Sequence, residues 1–160
     1  MVVESSIKPK LVDLTSTPDS FFSILPEDWQ EDIAPLWSDY TKEGARIYGF
    51  KFDEKVVAGG IVFETVSPDI KAYEMEANKL FDAGMSYFAF LWVSPVYRNE
   101  KLGSLWISEV KKKSVKPLWL SIDDFALASF YLKNGFILYK EVLLDQGSEW
   151  IMIPEGSNLL

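Results

Sequence analysis

Cysteine and histidine are absent from the 160 residues of this chain, and arginine occurs only at positions 46 and 98. Without cysteine there are no disulfides, no thiol nucleophile and none of the thiolate ligands that most structural zinc sites need. Without histidine there is no serine–histidine triad, and the usual base near neutral pH is missing. Any catalysis must therefore use carboxylates, tyrosine, lysine, serine or backbone dipoles, and we expect no metal site.

Positive charge and long apolar runs are also scarce. The net charge is −8, whereas nucleic-acid binding favours a basic surface, so we expect no nucleic-acid partner. The longest apolar run, residues 87–93, is too short to span a bilayer. The first residues lack the apolar segment of a signal peptide. We expect a single domain over residues 1–160, cytoplasmic, without a membrane partner, and monomeric or homodimeric.

Runs rich in β-branched and aromatic residues alternate with segments of helical period. Two of the strand pairs are joined by short turns and are predicted to be hairpins. The run at 85–93 is apolar throughout, as in a central strand that is buried on both faces. The predicted strands are 7–14, 45–52, 56–66, 85–93, 117–122, 136–144 and 148–153.

Helices are predicted between these strands. The first begins near Pro18, and Pro35 should split residues 26–44 into two short helices. Later helices are predicted from Ser67 onward, at 102–113 and at 125–134, and Gly44, Gly84 and Gly135 should end the helices that precede them. The order is β-α-α-β-β-(α)-β-α-β-α-β-β, an α+β (mixed α/β) fold with helices on both faces of a mixed sheet.

The junction between the strand at 85–93 and the helix at 102–113 has the features of an anion site. The first N–H groups of a helix have no partner within it, and the helix dipole adds positive charge. Gly103 has no Cβ, so a phosphate can approach the backbone closely. Arg98 supplies charge and several donors, or braces the loop internally, and Ser104 adds a hydroxyl. The junction is therefore predicted to bind a pyrophosphate.

This junction resembles the acetyl-CoA site of the GNAT superfamily of N-acetyltransferases. The signature of that family is Gln/Arg-x-x-Gly-x-Gly/Ala between a central strand and a helix. Arg98 and Gly103 fit the signature, and Lys101 stands where the first glycine is expected. Lys101 keeps a backbone N–H, so we expect the phosphate cradle to survive if the φ of Lys101 is negative.

The second half of the chain resembles the family as well. The family carries an asparagine, then a Phe/Leu-Tyr pair, then Gly-Phe, and this chain has Asp124, Phe130-Tyr131 and Gly135-Phe136. The order of elements matches from residue 7 to residue 153. The resemblance implies a GNAT-like central sheet that is mixed but mostly antiparallel.

The resemblance also implies an activity and a co-substrate. The family transfers an acetyl group from acetyl-CoA directly to an amine, here a primary amine of a small molecule or a protein. The pantetheine arm would pair with a central strand splayed from its neighbour, between the strands at 85–93 and 117–122, and a backbone N–H would hold the thioester oxygen. The positions implied for acetyl-CoA are Leu91, Trp92, Val93, Arg98, Asn99, Glu100, Lys101, Leu102, Gly103, Ser104 and Asp124.

Two side chains are candidates for proton transfer. Tyr131 matches the family's tyrosine that hydrogen-bonds or protonates the departing thiolate, although helical spacing alone would make it a core aromatic. Many relatives use a glutamate on the central strand as the base, and residues 87–93 contain none. Glu64, on the neighbouring strand, and Glu141, on a late strand, are candidates for the base, and each can instead be an exposed strand residue; of the two we take Glu64 as the base. The Asp123-Asp124 pair is interpreted as helix capping.

A second function remains open. Lys101, Asp124 and the missing strand glutamate are compatible with a non-catalytic acyl-CoA-binding or interaction domain that retains the fold. Arg98, Gly103 and Tyr131 together favour the acetyltransferase.

Overall fold

The computed structural model describes residues 9–98 and 101–159, and within them it contains one seven-stranded sheet in the order β1-β2-β3-β4-β5-β7-β6. Neighbouring strands are antiparallel, except β4 and β5, which are parallel. The predicted mixed, mostly antiparallel sheet is therefore confirmed. The strands are β1 (Lys10–Asp13), β2 (Arg46–Phe52), β3 (Lys55–Phe63), β4 (Ser86–Val93), β5 (Leu118–Ile122), β6 (Phe136–Leu144) and β7 (Gly147–Pro154).

The helices follow the predicted order. A 3₁₀ turn at Ala34–Leu36 contains Pro35 and separates α2 from α3, so the predicted split is confirmed. Two predicted helices begin as 3₁₀ turns instead, at Pro68–Tyr73 and Phe125–Leu127. The helices are α1 (Asp19–Phe22), α2 (Glu27–Ile33), α3 (Trp37–Lys42), α4 (Glu74–Asp82), α5 (Leu102–Lys113) and α6 (Ala128–Lys133). None of the helices in the described residues is long and apolar enough to cross a membrane.

Adjacent glycines in β3 bring helices close to both faces of the sheet. A Cβ on Gly59 would lie 2.8 Å from the ring of Phe21 in α1, and a Cβ on Gly60 would lie 2.7 Å from Trp106 in α5. Phe21 and Trp106 are fully buried and belong to separate apolar clusters. Any side chain at these two glycines would push a helix off the sheet. The predicted helices on both faces are confirmed.

Two strand predictions need correction. The first strand was predicted over residues 7–14; residues 7 and 8 lie outside the described part, and the strand observed there is β1. The strand at 85–93 was predicted to be buried on both faces, but β4 is buried only as far as Phe88, and its remaining residues are half-buried. The reason is that β5 pairs with only the first two residues of β4.

Candidate active site

Strands β4 and β5 separate shortly after they begin. Their paired residues are Ser86 with Leu118 and Tyr87 with Trp119. Strand β5 then pairs with β7, so residues 88–93 of β4 face no strand on that side within the described residues. The gap exposes backbone groups to which an extended arm can add as a further strand.

A β-bulge lies in the separated part of β4. Gly59 faces Trp92 and Ile61 faces Ala89, so β4 carries one extra residue across that interval. Phe90, inside the bulge, has a φ of 58°, in the left-handed region that few residues other than glycine adopt. A bulge leaves a residue off the ladder and bends the strand. One residue of β4 opposite Gly60 is therefore off the ladder with β3.

The backbone of β4 beyond the bulge alternates between β3 and the open edge. The Ser94 N–H donates to the carbonyl of Val57 at 2.8 Å, so Ser94 faces β3. Because successive residues of an antiparallel pair alternate, Trp92 also faces β3 and Val93 faces the open edge. Of the three predicted positions, Leu91 and Val93 therefore offer their backbone to an added arm, whereas the backbone of Trp92 does not.

A cavity of about 250 Å³ occupies the gap between β4 and β5. Its charged side chains are all acidic: among the described residues, no lysine or arginine lines it. Its walls are formed in part by helix α2, the 3₁₀ turn before α4, the loop after β5, helix α6 and strand β7. Its polar and aromatic lining includes Trp29, Asp32, Asp69, Ser121, Asp123, Tyr131 and Glu149.

The sequence analysis selected Tyr131, and the structure places it in this cavity. Its ring lies 6.2 Å from those of Phe88 and Phe136 and 5.0 Å from that of Phe130, between centroids. Burial raises the pKa of Tyr131 to about 12. The phenol is therefore protonated at neutral pH and can donate a hydrogen bond.

Glu149 is a cavity residue that the sequence analysis did not identify. Burial, followed by repulsion from Asp123 and Asp69, raises the pKa of its carboxyl to about 7. A carboxyl with that pKa can accept a proton near neutral pH. The pattern of β7 contained no clear signal, because Ile151, Met152 and Ile153 are all buried and therefore mark both faces of the strand.

Asp69 is held in the cavity by two hydroxyl donors. Ser67 donates to Oδ1 and Tyr87 donates to Oδ2. Desolvation raises the pKa of Asp69, and the two hydrogen bonds act in the opposite direction. The sequence analysis interpreted Ser67 and Asp69 only as the start of a helix. Their role at the cavity depends on Tyr87, which lies in a different element.

Glu64, the predicted base, lies elsewhere. It lines a second cavity of about 270 Å³ with Arg46 and Lys113, and Tyr131 does not line that cavity. Its carboxylate accepts a hydrogen bond from Ser86 Oγ at 2.7 Å and forms an ion pair with Lys116 at 3.1 Å. The structure therefore separates Glu64 from Tyr131.

Glu141, the other candidate base, is exposed on β6. It accepts a hydrogen bond from Ser148 at 2.6 Å and lines neither cavity. The only acidic side chain of β6 and β7 that lines the cavity with Tyr131, within the described residues, is Glu149.

The predicted pyrophosphate loop begins at Arg98. Its Nε donates to the carbonyl of Val93 at 2.9 Å, and its guanidinium lies 4.6 Å from the centroid of the Trp92 ring. Arg98 thus braces the loop against the end of β4, one of its two predicted roles. The hydrogen bond uses only Nε, so the other guanidinium nitrogens can still donate to an anion. Asn99 and Glu100 lie outside the described residues.

Lys101 has a φ of 63° and a ψ of 22°, which is left-handed. The condition set for the phosphate cradle, a negative φ at Lys101, is not met. Its backbone takes the conformation that a glycine adopts easily, and a side chain there costs about 1–2 kcal/mol. Lys101 therefore departs from the family signature in residue type, whereas its backbone conformation is one that a glycine adopts easily.

The N-terminus of α5 follows. The Leu105 N–H donates to the Lys101 carbonyl, so the amides of Leu102, Gly103 and Ser104 precede the first bond within the helix. The first turn contains no acidic residue. A Cβ on Gly103 would lie 3.1 Å from Cζ of Phe130, so this glycine also allows α6 to pack on α5.

Asp124 caps the 3₁₀ turn before α6. Its Oδ1 accepts a hydrogen bond from the Ala126 N–H at 3.0 Å, as the capping interpretation predicts. Asp123, next to it, is exposed and lines the acidic cavity.

The architecture is the GNAT N-acetyltransferase fold, as many solved structures show. The ribosomal-protein-S18-alanine N-acetyltransferase from Escherichia coli superposes with a TM-score of 0.61 at 17% identity over 96% of this chain and 99% of that one. An aminoglycoside 6′-N-acetyltransferase complexed with coenzyme A superposes with a TM-score of 0.67 at 12% identity, over 92% and 99%. The PaiA N-acetyltransferase from Thermoplasma acidophilum, in complex with coenzyme A, gives 0.57 at 16% identity, over 93% and 99%. No protein-family model and no curated protein matches the sequence.

Proposed function

We propose that this protein is an N-acetyltransferase that transfers the acetyl group of acetyl-CoA directly to a primary amine. One observation carries the proposal. The gap between β4 and β5 contains a cavity that is lined both by the phenol of Tyr131 and by a carboxyl, Glu149, whose pKa is about 7. A proton acceptor and a hydrogen-bond donor thus share the space where a thioester carried along β4 would lie.

The residues around the gap fit acetyl-CoA. The open edge of β4 at Leu91 and Val93 offers backbone groups to the pantetheine arm. The first amides of α5 offer donors to the pyrophosphate, and the helix dipole favours the negative charge there. Arg98, which donates from Nε to the Val93 carbonyl, has further guanidinium donors for a phosphate. The side chain of Asp124 is used in capping, so we assign it no direct contact with the phosphates.

The reaction follows from the protonation states. An amine arrives mainly as its ammonium ion, and Glu149 accepts one of its protons because its pKa lies near neutrality. The neutral nitrogen then attacks the carbonyl carbon of the thioester, and the amide of Leu91, in the bulge, donates to the developing oxyanion. As the carbon–sulfur bond breaks, a second amine proton is released and neutralises the thiolate.

Tyr131 stabilises the leaving sulfur. A free thiol has a pKa of about 8.5, so complete proton transfer from a phenol with a pKa of about 12 is uphill. A hydrogen bond from the phenol, in contrast, strengthens as charge develops on sulfur, and it therefore lowers the energy of the transition state more than that of the bound substrate. Hydrogen-bond donation is the role that the buried position of Tyr131 favours.

The experiment is thiol release from acetyl-CoA over a panel of primary amines. We expect turnover by the parent protein, a loss of about 10²- to 10⁴-fold in kcat/KM for Glu149→Gln, and parent-like turnover for Glu141→Gln. The control removes the same charge from the same hairpin, outside the cavity.

Calorimetry with acetyl-CoA accompanies the assay. Binding without thiol release from any amine would indicate the non-catalytic acyl-CoA-binding domain instead. If acetyl-CoA does not bind at millimolar concentration, both functions are excluded.

A further inference from the structure

We propose that the acceptor is a short aliphatic diamine or polyamine, with its reacting nitrogen at Glu149 and a second ammonium group bound by Asp69 and Asp32. This inference rests on the proposed acetyltransferase function, because it concerns the acceptor side of the same cavity.

The cavity contains more carboxyl groups than one ammonium group can pair with. Four carboxyl groups line it, from Asp32, Asp69, Asp123 and Glu149, and no lysine or arginine does so in the part of the chain described. These groups also interact with one another. Asp123 and Asp69 contribute to the raised pKa of Glu149, and Asp32 contributes to that of Asp69. An acceptor with two or more positive charges relieves this repulsion, whereas a monoamine leaves most of it.

Asp69 is built as an anchor for a cation. Each of its oxygens already accepts a hydrogen bond, one from Ser67 and one from Tyr87, and both bonds oppose the desolvation that raises the pKa of Asp69. A carboxylate oxygen can accept further donors, so both oxygens can still bind an ammonium group. Asp69 also remains accessible to solvent through the cavity. Because Ser67 and Tyr87 are buried, the carboxylate is held in place before any acceptor arrives.

The apolar walls suit a methylene chain. Trp29 and Phe90 line the cavity, and their rings meet edge to face with centroids 5.7 Å apart. Leu127 also lines it. Aromatic faces attract ammonium groups as well as methylenes. The volume of about 250 Å³ lies below the roughly 300–1,000 Å³ of sites that hold drug-sized ligands, so the cavity favours a short chain over a multi-ring amine.

The test compares 1,4-diaminobutane with butylamine, which has the same carbon chain and lacks the second charge. We expect the parent to favour the diamine by about 10- to 100-fold in kcat/KM, the range for one hydrogen bond to a charged group. Asp69→Asn should reduce this ratio by about 10-fold or more, and Asp32→Asn should reduce it less, because Ser67 and Tyr87 hold the Asp69 carboxylate in place. Asp82→Asn, exposed at the end of α4, is the control with the same charge change and should leave the ratio unchanged.

Asp69→Asn removes a partner of buried Tyr87, so its folding is checked by thermal unfolding. Asp32→Asn carries no such risk and tests the charge by itself. Added salt should also lower the ratio in the parent protein, because screening weakens partly exposed charges.

The outcomes separate this inference from the proposed function. Equal turnover of diamine and butylamine would overturn the inference and leave the acetyltransferase standing, and so would a preference for a multi-ring aminoglycoside over the diamine. If no amine is acetylated, calorimetric titration of both amines into the protein saturated with coenzyme A shows whether the cavity binds the diamine more tightly than butylamine. Tighter binding of the diamine supports its cavity-binding role, and binding no tighter than that of butylamine overturns it.

Discussion

Tyr87 and Trp119 are the last paired residues of the parallel strands β4 and β5, and their ring centroids lie 4.5 Å apart. The aromatic contact holds the two strands together at the point where they begin to separate. The hydroxyl of the same tyrosine donates to Asp69. One side chain therefore helps to set both the origin of the gap and the position of a carboxylate within it.

Two tyrosine substitutions should separate stability from turnover. Tyr87→Phe keeps the ring contact with Trp119 and removes one of the two hydroxyl donors to Asp69. We expect the free energy of unfolding to fall by about 1–3 kcal/mol, measured by urea denaturation. An unchanged free energy of unfolding would show that this hydrogen bond contributes nothing to folding.

Tyr131→Phe is the matched substitution at another tyrosine that lines the cavity between β4 and β5. The ring contacts with Phe88 and Phe136 survive, so we expect little change in stability or in acetyl-CoA affinity. Turnover should fall by roughly 10- to 1,000-fold, since one donor to the leaving sulfur is lost. Thiol release and calorimetry measure the two quantities, and undiminished turnover would remove Tyr131 from the mechanism.

The raised pKa of Glu149 predicts that its carboxylate destabilises the fold at high pH. Below its ordinary pKa of 4.5 the carboxyl is protonated in both folded and unfolded chains. Between 4.5 and about 7 the unfolded chain loses the proton first, so the free energy of unfolding falls as pH rises, and above about 7 the penalty is complete.

Glu149→Gln should therefore melt at a higher temperature than the parent at about pH 8, and the difference should shrink towards zero near pH 4.5. The expected gain is about 2–4 °C for each kcal/mol recovered. Thermal unfolding across this pH range measures it, with Glu141→Gln as the control. A variant that is less stable than the parent at high pH would contradict the burial of a charged carboxylate at this position.

The left-handed conformation of Lys101 predicts a stabilising glycine. Lys101→Gly removes the strain of the side chain but adds freedom to the unfolded chain, so we expect a net gain of about 0.5–1 kcal/mol. Acetyl-CoA affinity should stay the same or increase, because the amide remains. Lys101→Ala is the control: it removes the charge and retains the strain. If alanine stabilises as much as glycine, strain is not the cause; if glycine weakens binding tenfold, the lysine charge contacts the ligand.

Gly103 and Phe130 should show strong coupling in a double-mutant cycle. Gly103→Ala places a Cβ 3.1 Å from the Phe130 ring, and we expect a loss of about 1–3 kcal/mol from overpacking. In a Phe130→Leu background the same change should become neutral or favourable, because alanine is the better helix former by about 1 kcal/mol. Urea denaturation measures the cycle.

Acetyl-CoA binding by the variant that combines Gly103→Ala with Phe130→Leu tests whether Gly103 also lets a phosphate approach the backbone closely. If phosphate approaches this backbone closely, the added Cβ should weaken binding even where Phe130→Leu has relieved the packing. Parent-like binding by the double variant would move the pyrophosphate site away from Gly103.

The sequence determined the elements and their order, because these depend on neighbours along the chain. Alternation and helical period predicted the strands and helices, Pro35 predicted the break between α2 and α3, and the junction at Arg98 and Gly103 indicated the fold. The resemblance of Phe130-Tyr131 and Gly135-Phe136 to the family pattern also selected Tyr131 as a candidate, whereas helical spacing alone would make it a core aromatic. Each of these signals needs only a few consecutive residues.

The tertiary structure decided which carboxylates share the cavity. Asp69 and Glu149 are far apart in the sequence and line one space because β7 lies between β5 and β6 in the sheet. Glu64 was predicted to be the base because its strand neighbours β4, but strand adjacency does not say at which end of the strand a side chain lies. The raised pKa of Glu149 likewise depends on burial and on charges from other elements, and the left-handed φ of Lys101 is a feature of the folded loop between β4 and α5. Such properties arise only when distant segments meet, so no local pattern contains them.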